Sequence, residues 1–418
     1  MVATDRLVSS TAELSILAVG CSVRALVGTI VRGGRACSAV DLFADRDTRT
    51  LAGLTQDVAD LDQLPAVVSR IRGPSRSAAG PALIVGSGGI ENRIEAIEAL
   101  EQMPGVIVAG CPGSAMRLLR NPEWIGQQLK AAGWPSLPVQ RQPPAVDDPR
   151  RWMIKPVKSA GGTGIRVWHG EPAQPGGPEV FFQERVDGPV YGGTMVAHRD
   201  GVQLVGVCRQ LTLRSGALPL RYAGSAGPVQ IPGPALRQLA GIGGCLARSA
   251  GMTGWFGIDF VIRQGEVMVL EVNPRFTASM ELLDGRTLSS LWEVHWQAVT
   301  GGVPSYPAGK CQAPGRSWPA AAKAIVYHDR AEPLPVTQAG SDGLWTGRFG
   351  SGIKVADVPR PGAVIASGGP VCTVLAEADS AERATARLPE AIRAVQQNLG
   401  MQESPAIDPL NPPDGQSG

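Results

Sequence analysis

Charge of one sign is missing from this chain. Its 39 Lys and Arg stand against 37 Asp and Glu, so no bulk field draws it to nucleic acid or to a membrane surface. Aromatic residues are sparse at 5%, and no apolar run approaches the roughly 20 residues that span a bilayer. The opening Met-Val-Ala-Thr-Asp-Arg lacks the charged region, apolar core and cleavage site of a secretory leader, so the expected location is the cytoplasm. Seven cysteines, at 21, 37, 111, 208, 245, 311 and 372, include no Cys-x-x-Cys pair; an odd count without such spacing argues against a disulfide framework and leaves them as small core residues. His169, His198, His295 and His328 read as structural or solvent-facing. Glycine (53) and proline (35) are abundant, so a lone glycine doublet carries little weight and motifs need flanking support. What remains is 418 residues, 43% apolar and 18% charged, enough for two or three domains with real cores and a small-molecule partner.

The first 112 residues alternate apolar strands with helical spacing. Leu14 to Gly20, Ala39 to Phe43, Ala82 to Gly86 and Val106 to Gly110 read as strands, and Ser22 to Val31 and Glu91 to Met103 as helices, which predicts a doubly wound α/β domain. Gly20 with Asp41 some 20 residues on is tempting as a dinucleotide site, but the G-x-G-x-x-G fingerprint is absent. From Pro112 helical spacing with Pro-rich connectors gives way at Trp152 to strands and hairpins up to about residue 300. An α+β region is expected over 301–402 and a disordered tail over 403–418.

Chemistry concentrates in three places. Trp152-Met-Ile-Lys155-Pro-Val-Lys-Ser159-Ala-Gly161-Gly162-Thr163-Gly164-Ile-Arg-Val puts a lysine at a strand end before a loop of small residues, whose N–H groups can wrap phosphate oxygens. It is not a Walker loop, since no Lys-Ser/Thr follows the glycines. Gln183, Glu184, Arg185, Val186 and Asp187 form a strand that becomes a turn, with polar side chains and backbone groups suited to a purine edge. Gly257 to Phe276 is a hairpin whose far end carries Asp259, Glu271, Asn273 and Arg275. A two-residue turn at Gln264-Gly265 would set Asp259 opposite Leu270, whereas a three-residue loop sets it opposite Glu271; the odd loop, with Gly265 in a left-handed bulge, is the one expected. Embedded among Val and Leu, unpaired acids would be costly to desolvate, so hard oxygens here suit Mg2+ held by carboxylates and substrate phosphates.

Lysine, glycine flap, Gln-Glu strand and Asp…Glu-x-Asn-Pro-Arg hairpin occur in that order, and the order resembles the ATP-grasp superfamily over roughly residues 1–300. The resemblance implies an N-terminal α/β (pre-ATP-grasp) domain at 1–112 and a two-subdomain clamp at 113–300, its lid at about 113–182. It implies that Lys155 contacts nucleotide phosphate or base, that Gly161 to Gly164 cover the phosphates, and that Glu184 to Val186 read adenine. Asp259, Glu271 and Asn273 would hold Mg2+, with Mn2+ as an alternate ion, and Arg275 would steady the transferred phosphoryl group. Asp187 is the candidate ribose contact. The sequence departs from the family at the clamp's first lysine, where Leu118-Leu-Arg-Asn-Pro-Glu offers only Arg120, left without an assigned role.

The implied reaction is activation of a carboxylate by ATP to an acyl phosphate and its capture by an amine, giving ADP and phosphate. Ala356-Asp-Val-Pro-Arg-Pro-Gly and Gly369-Pro-Val-Cys-Thr-Val, with Gly20 to Leu26 and Val40 to Asp45, resemble carboligase-like members related to biotin carboxylase. They are most similar to members associated with tetrahydromethanopterin- and methanofuran-type one-carbon cofactors, where glutamate is a ligation partner. Two alternatives are a carboxylase that passes carboxyphosphate to an amine, without a biotin-accepting Met-Lys-Met, and a non-catalytic nucleotide-binding regulator, against which the intact acids of the hairpin argue. The expected partners are ATP, a small carboxylate and an amine, with homo-oligomerisation compatible; Arg209, Arg214, Arg221 and Arg286 are candidate clamps for a substrate carboxylate.

Overall fold

A computed structural model describes residues 15–72, 81–171, 177–213, 220–285, 290–304 and 319–401; Arg214, Arg286, Cys311 and the tail from 403 lie outside them. The near-continuous apolar runs of the N-terminal region form buried parallel strands, as runs shielded on both faces must. β1 (Ser15–Gly20), β2 (Cys37–Asp41), β3 (Thr55–Asp57), β4 (Ala82–Gly86) and β5 (Val106–Val108) lie in the order β3-β2-β1-β4-β5, every neighbouring pair parallel. β3, short and polar, gave no signal in the sequence. The helix expected over 91–103 forms at Ile94–Glu101, after a 3-10 turn at Ile90–Asn92 entered through Gly89 at φ 96°. Order reverses between β1 and β4, so the crevice beyond Gly20 and Gly86 is the place where such sheets bind ligands.

A small antiparallel sheet, β6 (Val139–Gln140), β7 (Trp152–Pro156), β8 (Arg166–Val167) and β9 (Val180–Glu184) in the order β6-β9-β7-β8, has its own core of Ile154, Trp168 and Phe182. The main sheet is antiparallel and eight-stranded: β14 (Glu266–Asn273), β13 (Gly254–Arg263), β10 (Val190–His198), β11 (Gly201–Thr212), β12 (Tyr222–Gly227), β15 (Ala320–Tyr327), β19 (Pro370–Ala378) and β17 (Ile353–Ala356), in that order. A two-stranded ribbon pairs β16 (Leu334–Pro335) with β18 (Val364–Ile365). The C-terminal strands β15, β17 and β19 thus extend the sheet that carries the Asp259 hairpin.

Strands and hairpins were expected up to about residue 300, yet the longest helix of the described chain, Gly233–Ala250, lies there. Gly241, Gly243 and Gly244 hid it, since each glycine costs a helix interior about 1 kcal/mol relative to alanine. One of them is required by packing: a Cβ on Gly243 would overlap Met195 Sδ, so the glycine lets the helix lie close on β10. The helix shares a core with the N-terminal sheet and the hairpin, through Leu239, Ile242, Phe256 and Ile258.

The N-terminal unit is also tied to the main sheet by charge. Arg24, 11% exposed at its side chain, donates to both carboxylate oxygens of Glu281, one bond at 2.9 Å, and to Asp357 at 2.8 Å, with Asp47 at 3.5 Å. Lys323 on β15 reaches Glu281 at 2.9 Å, and the backbone N–H groups of Asp357 and Val358 donate to Asp47 at 2.7 and 3.3 Å. Asp41, whose spacing from Gly20 suggested a dinucleotide site, is fully buried and accepts from the Val23 and Phe43 N–H groups at 3.2 and 3.0 Å, so it shapes its own turn.

Candidate functional site

The hairpin reaches the expected pairing by an unexpected route. Asp259 does face Glu271, and Gly257 faces Asn273, but the connection is the two-residue turn Gln264-Gly265, with Arg263 paired to Glu266. Both turn residues have positive φ, 53° and 86°, the combination of a type I′ hairpin. The odd residue is instead Leu270, a β-bulge between Asp259 and Phe260. The expected three-residue loop is therefore corrected: a tight turn fits the strand twist, and the register change was displaced to a bulge, where ladders are commonly interrupted beside functional sites.

The bulge exposes the Leu270 carbonyl. Lys155 Nζ approaches it at 3.5 Å from β7, and Gln183 Nε2 at 3.4 Å from β9, so two residues predicted from separate motifs meet at one backbone oxygen. Lys155 is 9% exposed; burial lowers its pKa, against the pull of Glu271 and Asp259, which favour the charged form. Lys155 is thus held on the edge of the acid cluster, with no ion-pair partner among the described residues.

Asn273 Nδ2 donates to Asp259 at 3.1 Å and to Glu271 at 3.3 Å, while its Oδ1 accepts from Arg275 at 3.1 Å. Burial, then the like charge of Glu271, raises the pKa of Asp259; Gln210, a contact the sequence did not reveal, hydrogen-bonds it and offsets part of the rise. Burial also pushes Glu271 up, but Arg120, Lys155 and Arg275 outweigh it and hold the carboxyl below its usual range. Two facing acids, one favouring its proton and one ionised, have the donor chemistry of a hard cation. Among the described residues, however, no group of three or more His, Cys, Asp or Glu side chains is disposed to hold a metal. Two carboxylates and one amide fit an ion that brings oxygens of its own, such as Mg2+ on a polyphosphate, with the Asn273 amide turned to offer Oδ1.

Arg275 lies at the switch point of the N-terminal sheet. The Phe276 N–H donates to Gly86 O at 3.1 Å, and a Cβ on Gly88 would come within 3.9 Å of the Arg275 guanidinium carbon. Arg275 NH2 donates to Glu91 at 2.7 Å, and NH1 to Phe276 O at 3.2 Å. Arg120 lies 3.8 Å from Glu271 and reaches the flap carbonyls of Val157 and Ser159 at 3.4 and 3.5 Å; Asn92 Nδ2 donates to Ser159 O at 3.1 Å. Glu91 and Asn92 escaped the sequence reading because they sit in a helix-forming stretch far from the hairpin, with no spacing to mark them.

The flap from Ser159 to Gly164 lies against the start of β12. Tyr222 N–H donates to Gly161 O at 2.9 Å, and a Cβ on Gly162, at φ 78°, would overlap Leu220 O. Thr163, Gly161 and Gly164 face solvent. At the other end Glu184 is approached by Arg151 at 3.6 Å and Arg263 at 3.7 Å, the Arg185 N–H donates to Arg151 O at 2.8 Å, and the exposed Asp187 pairs with Arg185 at 2.8 Å. Val186 lies between them, half-buried. Of the candidate carboxylate clamps, Arg221 is occupied, stacked 3.8 Å over the Tyr327 ring and donating to Gly368 O, while Arg209 is half-buried on β11. His295 is buried, stacks 3.8 Å from Trp255 and accepts the Trp255 N–H at 3.2 Å; burial lowers its pKa to about 3.

The overall fold is shared with known proteins. Residues 125–279 match the family model of the ATP-grasp domain. The chain has the ATP-grasp fold. The biotin carboxylase domain of Hydrogenobacter thermophilus 2-oxoglutarate carboxylase, in complex with MgADP, ADP and bicarbonate, is similar with TM-score 0.66 at 12% identity, over 90% of this chain and 89% of that one. The Bacillus licheniformis L-amino acid ligase gives 0.64 at 14% identity, over 93% and 98%. Rhizobium etli pyruvate carboxylase gives 0.65 at 16% identity over 92% of this chain, which spans only 39% of that one. No curated protein matches.

Proposed function

We propose that this protein is an ATP-dependent, ADP-forming ligase that activates a carboxylate as an acyl phosphate and joins it to an amine. The observation that carries the reading is the meeting of Asp259, Glu271, Asn273, Arg275 and Lys155, drawn from three strands and two sheets, in one cluster that Arg120 links to the glycine flap. Such a cluster needs no nucleophilic side chain: in-line phosphoryl transfer asks for positioning and charge. Mg2+, or Mn2+ in its place, would be held by Asp259, Glu271 and Asn273 and would neutralise the phosphates. Lys155 faces the same phosphates or the base, Ser159 and Gly161 to Gly164 close over them, and Gln183 to Val186 receive the adenine, with Asp187 beside the ribose. Arg275 offsets charge on the transferring phosphoryl group and on the tetrahedral adduct as the amine attacks.

The L-amino acid ligase among the fold's relatives supports the C–N ligase form, and the bicarbonate of the carboxylase complex supports the second form, carboxylation of an amine by way of carboxyphosphate. The narrower proposal, carried by the resemblance of the C-terminal motifs with Gly20 to Leu26 and Val40 to Asp45, is an amino-acid ligase that adds glutamate to a pterin- or furan-type one-carbon cofactor, in the cytoplasm and as a homo-oligomer. ADP release by the purified protein with Mg-ATP, across amino acids, cofactor precursors and bicarbonate, tests these forms. Release dependent on an acid and an amine supports ligation, release dependent on bicarbonate supports carboxylation, and tight nucleotide binding without turnover on any of them supports the regulator.

A further inference from the structure

Among the described residues, Arg275 is anchored locally by Asn273 Oδ1 and Phe276 O, both within two residues of it, and at long range by a hydrogen bond to a single charged group, Glu91. Glu91 is 3% exposed and comes from the turn after β4, in the N-terminal unit, 184 residues away in sequence. We propose that Glu91 is a positioning residue for phosphoryl transfer: it holds the Arg275 guanidinium away from the acid cluster and aimed at the transferring group. This rests on the role given to Arg275 above.

The alternative tether explains why such a residue is needed. The other carboxylates acting on Arg275 are Glu271 and Asp259. A guanidinium released from Glu91 would be drawn to them, neutralising the oxygens that face the metal and leaving the phosphoryl group without its counter-charge. Glu91 counters that pull from outside the hairpin, and burial strengthens its hold because few water dipoles screen the pair. The contact is also not that of a saturated structural salt bridge. Only one Glu91 oxygen takes one guanidinium N–H; Glu91 Oε2 and Arg275 Nε have no partner among the described residues, where a bidentate pair would use both. A bridge built for stability would be expected to close that second bond, since each unmade one in a buried site is costly. The backbone brings the turn against the arginine: the Phe276 N–H donates to Gly86 O, and a Cβ on Gly88 would lie 3.9 Å from the guanidinium carbon.

The test uses MgADP, and MgADP with aluminium fluoride as a mimic of the transferring phosphoryl group, titrated into the full chain by calorimetry. Wild type is expected to prefer the fluoride complex at least about 100-fold, the lower range for transition-state mimics. Glu91→Gln keeps the size and an acceptor but removes the charge; it is expected to lose about 10-fold or more of that preference while MgADP binding stays within about 3-fold, because the interaction is made only with the transferring group. Glu91→Asp keeps the charge but withdraws it by one methylene and is expected to lose the preference in part. In an Arg275→Ala background, Glu91→Gln should add less than about 2-fold, since residues acting through one another are not additive. A full preference in the glutamine variant, or in the aspartate variant should the former not fold, overturns the proposal, as does an equal loss for both ligands. If Arg275→Ala itself keeps the wild-type preference, the role given to Arg275 fails and takes this inference with it; if Arg275→Ala loses the preference and Glu91→Gln does not, only the role of Glu91 fails.

Discussion

Replacing Arg24 with methionine keeps much of the apolar stem and removes the charge on which three parts of the chain converge. Glu281 follows the hairpin, Asp357 follows β17, Asp47 lies in the N-terminal helix Arg46–Leu51, and Arg24 contacts all three. Around it Asp41, Asp45, Asp47, Glu281 and Asp357 face two cations, Arg24 and Lys323; the variant leaves one. Removing one partner of a buried ion pair costs about 3–5 kcal/mol, because the abandoned charge stays desolvated. The loss should depend on pH in a definite sense. Burial raises Asp41 to about 6, and burial with the charge of Asp357 raises Asp47 to about 6. A group whose folded pKa is raised contributes stability below its unfolded pKa, and that contribution disappears as pH climbs through the folded value. The acids are thus increasingly ionised between pH 5 and 8, where Arg24 matters most. Urea unfolding at pH 5.5 and 8.0 should show a larger deficit for Arg24→Met at pH 8.0, with the N-terminal unit melting ahead of the main sheet. A deficit below about 1 kcal/mol, the size of an exposed pair, or one equal at both pH values, would refute the reasoning.

Gly162→Ala places a Cβ against Leu220 O at a positive φ, so the flap must shift; the KM for ATP should rise about 10-fold or more with the melting temperature within a few degrees, and unchanged ATP kinetics would count against the flap. His295→Ala removes the ring stacked on Trp255 and the acceptor of its N–H, and should cost about 2–4 kcal/mol in chemical denaturation. Because burial holds His295 at about 3, the same variant should leave the pH–rate profile between 6 and 8 unmoved. Mg2+ affinity in the presence of ATP should rise with pH through neutrality more steeply than the ionisation of ATP alone requires, since burial and Glu271 raise Asp259 and the ion binds its ionised form; the excess should vanish in Asp259→Asn.

Four of the five parallel strands of the N-terminal unit were legible because buried strands are written as apolar runs; β3, short and polar, was not. The lysine, flap and acid-bearing hairpin were legible because each keeps its residues within one short segment. What the sequence concealed is long-range or backbone-encoded. Nothing in Leu270 marks it as a bulge; the neighbours that use its carbonyl, Lys155 and Gln183, arrive from strands 115 and 87 residues away. Glu91 and Asn92 look like an ordinary helix start, and only the docking of the N-terminal sheet on the hairpin brings them to Arg275 and the flap. The helix Gly233–Ala250 was hidden by its glycines, and the close approach of one of them, Gly243, to Met195 on β10 is tertiary.

The central claim is that Asp259, Glu271 and Asn273 hold the divalent ion of a bound nucleotide. Calorimetric titration of ATP into wild type and Glu271→Gln, each with Mg2+ and with chelator, tests it most directly. Binding by wild type should be at least about 10-fold tighter with Mg2+, roughly the worth of one charge-assisted ligand, and Glu271→Gln should bind equally with and without the ion. A variant that keeps the full Mg2+ enhancement would contradict the account.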